Sequence, residues 1–211
     1  MRRSKSKDNA PSGTGPLLIV LSGPSGAGKD AILSRMKKTG YPAQFVTTVT
    51  TRPKRAQETD GVDYRFVSPG RFEEMLESNQ FLEHASVYGN SYGVPAEPVR
   101  QALEQGQDVI LKVDTQGAAA IKKLVPQAVF IFVVPPSMDE LSARLKGRRT
   151  ESDFDCDLRL KTAAEEMKQL PLFDYMVVNR QDRVGLAVSA IEAIITAEKH
   201  LVKPREVRLP G

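Results

Sequence analysis

Eight consecutive residues carry the clearest chemistry in the chain: Gly23-Pro24-Ser25-Gly26-Ala27-Gly28-Lys29-Asp30. Glycines at 23, 26 and 28 allow successive backbone N–H groups to turn into one concavity. Lys29 adds a mobile cation beside it. N–H groups, a helix N-terminus and an ammonium gathered at one point make a phosphate site. The plain alternative is a strand-to-helix turn that needs glycines only for its backbone; the lysine and the placement argue against it. The residue after such a lysine is ordinarily Ser or Thr, whose hydroxyl binds Mg²⁺. Here it is Asp30. Three roles stay open for it: direct Mg²⁺ ligand, ligand through water, or a first-turn acid favoured by the helix dipole without a metal.

Cations form the second group. Arg52 and Arg55 flank Pro53-Lys54, and Arg144 and Arg148 stand four apart on one helical face, with Arg159 in the next helical pattern. Taken alone, these are solvated arginines as readily as an anion-binding set. No general base stands out. His84 and His200 are the only histidines and belong to no cluster.

Buried strands must position the glycine loop. Leu17 to Leu21 is a short apolar run directly before it, and a helical pattern over about 29–39 follows. Further apolar runs lie at Val109 to Val113, Ala128 to Val134 and Tyr175 to Val178. Helical patterns separate them at about 96–105, 115–124, 137–147, 155–170 and 183–200. The alternation predicts an α/β fold in three layers, a parallel sheet flanked by helices. The stretch from about 44 to 95 departs from that rhythm. Gln44 to Thr50 is β-branched, Tyr64 to Val67 and Phe81 to Val87 alternate, and a helix is expected over Pro69 to Asn79. This reads as a small mixed β insertion. The expected organisation is a flexible leader (1–15), a core (16–46, 98–143 and 170–200), an insertion (47–97), a helical lid (144–169) and a loose tail (201–211).

Composition narrows the class. The chain has 211 residues, 40% hydrophobic and 27% charged, which suits one globular domain with a full core. Its longest apolar run, Ala128 to Val134, is far below the roughly 20 residues of a membrane helix. The basic leader has no apolar segment behind it and does not read as a secretory signal. The single cysteine, Cys156, excludes an internal disulfide, and a reducing cytoplasm is the expected compartment. The net charge of +4 resides in the ends, which carry four bases against one acid in residues 1–15 and four against two in 198–211. Neither nucleic acid nor membrane is therefore expected as a partner.

Several separated motifs then point one way: the glycine loop, Thr50-Thr51-Arg52-Pro53-Lys54-Arg55, Gly61-Val62-Asp63-Tyr64-Arg65-Phe66-Val67, Phe81-Leu82-Glu83, Tyr88-Gly89-Asn90-Ser91-Tyr92-Gly93 and Val109-Ile110-Leu111-Lys112-Val113-Asp114. From about Pro16 to Ala197 the chain resembles the guanylate kinases, P-loop kinases that move the γ-phosphoryl of ATP to GMP. The resemblance implies ATP and GMP as partners, dGMP as a further acceptor, and Mg²⁺ as cofactor. It implies that residues 23–30 and Asn179 contact ATP, and that Arg52, Arg55, Tyr64 and Tyr92 hold the acceptor phosphate. Glu83 would accept from guanine N1–H and the N2 amino group, Thr48 would touch guanine O6, and Asp114 would lie near the acceptor. Lys29, Arg144, Arg148 and Arg159 would neutralise the transferring group.

Two positions depart from the family pattern. Val94 stands where a Ser or Thr ordinarily helps to bind guanine O6. Lys112 stands where an Asp or Glu ordinarily lies near the metal. With Asp30 gained and that acid lost, the two are expected to face each other near the phosphates, Asp30 taking over the ordering of the metal. Two other readings remain: a non-catalytic binding module of the kind found in scaffold proteins, and a kinase for another small phosphorylated acceptor. The module reading predicts loss of Lys29 and the lid arginines, which this chain keeps.

Overall fold

The computed structural model describes residues 15–87, 89–146 and 153–210, with side chains omitted at 153–157. In chain order the elements are β1 (Leu18–Ser22), α1 (Lys29–Lys38), β2 (Gln44–Phe45), β3 (Val49–Thr50), β4 (Arg65–Phe66), α2 (Pro69–Glu77), β5 (Phe81–Val87), β6 (Asn90–Pro95), α3 (Ala96–Glu104), β7 (Val109–Lys112), α4 (Thr115–Leu124), β8 (Val129–Val134), α5 (Met138–Lys146), α6 (Asp153–Met167), β9 (Tyr175–Val178) and α7 (Val184–Glu198). A five-stranded sheet has the order β2-β7-β1-β8-β9, with every pairing parallel.

Strand β1 explains why its sequence is continuously apolar. Successive side chains point to opposite faces, and both faces are covered. Leu17, Ile19 and Leu21 join a buried cluster with Ile32 and Met36 of α1 and Ile191 and Ile195 of α7. Leu18 and Val20 join the opposite cluster with Val99 of α3 and Ile121 of α4. The expected three layers are present. Because β7 and β8 flank β1, the loop leaving β1 opens into the crevice at the carboxyl ends of the strands, where such sheets bind ligands.

A second, mixed sheet of order β4-β3-β6-β5 stands beside this crevice. The β-branched stretch Gln44 to Thr50 is divided between the two sheets. Gln44 and Phe45 extend the main sheet opposite Val109 and Ile110, whereas Val49 and Thr50 pair with β4 and β6. Strand β6 has no counterpart among the expected strands. Its Asn90, Gly93 and Pro95 are poor strand formers that break up the signal of Tyr92 and Val94, and antiparallel pairing along β5 organises them.

Residues 201–210 have no regular secondary structure, and some of their side chains make defined contacts with the core. Arg205 donates to Glu198 from Nε at 2.7 Å and from Nη2 at 2.8 Å, and to the Ala128 carbonyl at 3.0 Å. Val207 and Leu209 pack against the cluster under α3 and α4. Two apolar residues and one buried ion pair thus fasten a segment whose prolines and scattered charge read as a tail.

Candidate active site

The glycine loop runs from the end of β1 into α1. Gly28 has φ of 91°, in the left-handed region, and a Cβ there would fall 2.2 Å from Asn179 Nδ2. Only glycine satisfies both the backbone and the close approach. Asn179 follows β9 and is buried, and its Nδ2 donates to the Ala27 carbonyl at 2.8 Å. Arg144 of α5 braces the same region, donating from Nη2 to the Asn179 carbonyl at 2.7 Å and to Glu140. These two residues therefore stand behind the loop and hold its shape; neither lines the cavity in front of it.

Lys29 curls back over the loop and donates to the Pro24 carbonyl at 3.1 Å and to the Gly23 carbonyl. Burial pushes its amine below the ordinary value, against the pull of Glu166, Asp30 and Asp114. Glu166 comes from α6. Its Oε2 accepts from the Ser25 N–H at 3.2 Å, so a carboxylate sits on one of the loop's donors. Burial raises the Glu166 pKa, with Lys29 opposing.

One cavity of about 400 Å³ joins this loop to the mixed sheet. Ser25, Gly26, Gly28, Lys29 and Asp30 line one part, and Thr48, Arg52, Arg55, Tyr64, Glu83 and Tyr92 the other, with Lys112, Asp114, Arg159 and Glu166 also in the wall. Most of the residues singled out in the sequence thus meet around one space. Gly23, Pro24 and Ala27 belong to the loop without lining that space. Arg148 and the rest of residues 147–152 lie outside the described residues.

At the far end Glu83, on β5, is 6% exposed and its Oε2 has no hydrogen-bond partner among the described residues. Burial first, and the nearby Asp114 second, push its pKa up to about 8. Asp114 caps α4, its Oδ1 accepting from the Gly117 N–H at 2.7 Å. Thr48 is buried, and its hydroxyl donates to the Lys112 carbonyl at 3.2 Å. Val94 pairs with Glu83 across β5 and β6 but is 1% exposed and lies in the core. Its apolar side chain is explained by that packing.

Between the two ends lies a group of cations. Arg52 donates to Glu58 Oε1 at 2.6 Å and stands 5.4 Å from the Tyr64 ring centre. The Arg55 backbone N–H donates to Glu58 Oε2 at 2.8 Å. Glu58 is thus the shared anchor of the Arg52–Arg55 segment. Burial works against its charged form, yet the donors from Arg52 and Arg55 outweigh it and hold the carboxyl below its ordinary pKa. Tyr64 and Tyr92 meet edge to face with centres 6.0 Å apart. Lys112 Nζ lies 2.6 Å from Asp30 Oδ1, so this pair faces as expected. Sequence reasoning missed Glu58 and Glu166. No local pattern marks Glu58, and Glu166 is one acid in a helix full of charge; only the tertiary contact distinguishes either.

A parallel sheet, a glycine loop with lysine at its central strand and a second binding sheet across one cavity define a P-loop phosphotransferase of the nucleotide-kinase class. The guanylate kinase family model matches residues 16–198. The chain is 48% identical over 195 residues to a guanylate kinase of Desulfitobacterium hafniense, covering 92% of this chain and 96% of that one. It is 44% identical over 186 residues to one from Clostridioides difficile, covering 88% and 90%. A crystal structure of guanylate kinase from Anaplasma phagocytophilum superposes with a TM-score of 0.72 at 32% identity, covering 90% of this chain and 89% of that chain. The chain belongs to the guanylate kinase family.

Proposed function

We propose that the protein transfers the γ-phosphoryl group of ATP to GMP, giving ADP and GDP. The observation that carries this reading is the continuity of the cavity. A phosphate cradle with Lys29 lies at one end, and a buried carboxyl with an unpartnered oxygen, Glu83, at the other. Ionised Glu83 offers two acceptors to the adjacent N1–H and N2 amino donors of guanine. Adenine presents an acceptor at N1 and would leave the carboxylate unpaired, the kind of mismatch that gives large discrimination.

The acceptor phosphate belongs with Arg52, Arg55, Tyr64 and Tyr92. A phosphate monoester has its second pKa at about 6, so it is already mostly dianionic at neutral pH and needs no general base. The protein's task is to bring the two phosphates into line, neutralise the charge and exclude water. Lys29 acts on the donor phosphates, while Arg144 and Asn179 keep the loop in the shape that receives them. Arg159 reaches the cavity from α6, and together with Arg148 it would carry the lid's positive charge over residues 144–169.

Among the described residues, no group of three or more His, Cys, Asp or Glu could hold a metal ion. Mg²⁺ in nucleotide kinases takes only one or two protein carboxylates and is completed by phosphate oxygens and water. The donor set fits such a shared ion through Asp30, whose Oδ1 is at present shared with Lys112 Nζ. When bound, the ion would offset the charge of the donor phosphates.

No helix among the described residues is long and apolar enough to cross a membrane. The location that we propose, from the reducing compartment expected of a chain with one cysteine, is the cytoplasm. The deciding experiment is an ADP-release assay over GMP, dGMP, AMP, CMP, UMP and ribose phosphate. Turnover with GMP and dGMP alone is expected. Turnover with another acceptor in preference to GMP, or with none, overturns the reading.

A further inference from the structure

Lys112 is an unusual residue to find in this wall. It ends β7, paired in register with Leu21 at the end of β1, so its side chain leaves the sheet beside the start of the glycine loop. The side chain is only 11% exposed. Its Nζ lies 2.6 Å from Asp30 Oδ1 and 3.8 Å from the centre of the Tyr64 ring. The guanidinium of Arg52 stands 5.4 Å from the centre of that same ring. Two cations share one aromatic side chain, and each has a carboxylate at its back: Asp30 for Lys112, Glu58 for Arg52.

A surface salt bridge needs none of this. An exposed pair would leave the ammonium in water, where its interaction is worth little. Here the carboxylate is the exposed partner, with Asp30 at 65%, and the ammonium is the buried one. Burying a cation is costly unless it meets further negative charge or hydrogen-bond acceptors. An ammonium carries three donors; one Asp30 oxygen accepts one of them, and the Tyr64 side chain stands as a second partner. The cavity wall that Lys112 shares with Arg52, Arg55, Tyr64 and Tyr92 supplies the place for another acceptor.

Building on the acceptor assignment above, we propose that Lys112 is a phosphate-contacting residue of the acceptor subsite, its ammonium meeting an oxyanion of the nucleoside monophosphate beside Tyr64. It would add a point charge between Lys29 on the donor side and the Arg52 fork on the acceptor side. A compact ammonium suits that place, because it can follow an oxygen whose position changes as the phosphoryl group arrives. Lys112 thereby also becomes a group that distinguishes a nucleotide from the corresponding nucleoside.

Calorimetry of GMP and of guanosine, in EDTA and without ATP, tests this on the wild type, Lys112→Met and Lys112→Arg. Lys112→Met is expected to weaken GMP about tenfold or more, the scale of a charge-assisted hydrogen bond. Guanosine should change less than about twofold, since its base contacts are untouched, and Lys112→Arg should recover part of the GMP affinity. In ³¹P spectra of bound GMP, the phosphate pKa should rise in Lys112→Met, because a nearby cation favours the dianion. Equal GMP affinity in wild type and Lys112→Met, or parallel losses of GMP and guanosine with an unmoved phosphate pKa, would overturn the assignment. If the wild type itself takes up no GMP, the acceptor reading falls and this inference with it.

Discussion

A Cβ added at Gly117 would lie 2.7 Å from Glu83 Oε2 and 2.9 Å from its carboxyl carbon, so the carboxyl sits where any side chain at 117 would have to be. Gly117 is in the first turn of α4, and its N–H is bonded to Asp114. Alanine at 117 fits a helix better than glycine, by up to about 1 kcal/mol. The contact with Glu83 works against that gain. Gly117→Ala is therefore expected to raise the KM for GMP about tenfold or more, the cost of moving a group that binds by charge-assisted hydrogen bonds. The KM for ATP should stay within about twofold. Steady-state kinetics with each substrate varied in turn would check this split; equal rises in both would show that the substitution disturbs the fold rather than the Glu83 carboxyl.

Glu83 also predicts a proton linkage. With its pKa near 8, the free protein holds Glu83 mostly protonated at neutral pH. Accepting from both guanine donors requires the carboxylate, so GMP binding releases a proton. From about pH 7 to about pH 8 the ionised fraction rises about fivefold, and GMP affinity should follow. Calorimetry in two buffers of different ionisation enthalpy reads the release directly. Stability runs in the opposite direction. A carboxyl with a folded pKa above its unfolded one stabilises the fold at low pH and loses that contribution as pH rises from the unfolded pKa of about 4.5 through about 8. Glu83→Gln should flatten this loss in urea titrations of the free protein, gaining a few kcal/mol relative to wild type above about pH 8. It should at the same time weaken GMP.

Glu166 and the loop compete for the same donor. The Ser25 N–H that faces the crevice is bonded to Glu166 Oε2, and the carboxylate lies within electrostatic reach of Lys29. An arriving triphosphate must displace this carboxylate and its charge. Glu166→Gln is expected to tighten ATP binding about threefold to tenfold, as removal of a like charge near a dense anion does. A filter-binding or fluorescence titration with ATP alone would measure it. Weaker ATP binding would show that Glu166 assists the loop rather than occupying it.

The legible parts of the molecule are those in which local pattern and tertiary structure coincide. Strand β1, the glycine loop and α1 are visible because a fully buried strand is a continuous apolar run and the loop's glycines are spaced by its backbone geometry. The cations and aromatics of the acceptor side are readable only through resemblance, because nothing local separates Arg52 from any exposed arginine. Strand β6 escapes notice, because its Asn, Gly and Pro argue against a strand that its partner β5 nonetheless imposes. The Gln44 to Thr50 stretch reads as β but gives no sign that it divides between two sheets, since two residues per strand are too few for a period. Glu58, Glu166 and Arg205 are charges whose partners lie elsewhere in the chain or in an irregular segment. Hydrophobic pattern carries no information about such pairs.

Arg205 gives the sharpest test of that irregular segment. Glu198, at the end of α7, is 1% exposed and accepts from the Tyr175 hydroxyl at 2.8 Å as well as from the Arg205 fork. Burial alone would raise its pKa; the donors from Arg205 and Tyr175 outweigh it and hold the carboxyl below its ordinary value. Such a group stabilises the fold above its unfolded pKa, and the contribution is lost as pH falls through the folded one. Arg205→Met keeps the length of the side chain but leaves a buried carboxylate without its cation, a change worth about 3 kcal/mol or more. Urea denaturation near neutral pH should show that loss. The gap between variant and wild type should narrow as the pH is lowered below about 4.5, because a protonated Glu198 no longer needs the guanidinium. A gap that stays constant with pH would assign the role of Arg205 to packing and to its bond with the Ala128 carbonyl. Adding Glu198→Gln to Arg205→Met should then restore much of the stability at neutral pH, since the amide carries no charge to leave unpaired.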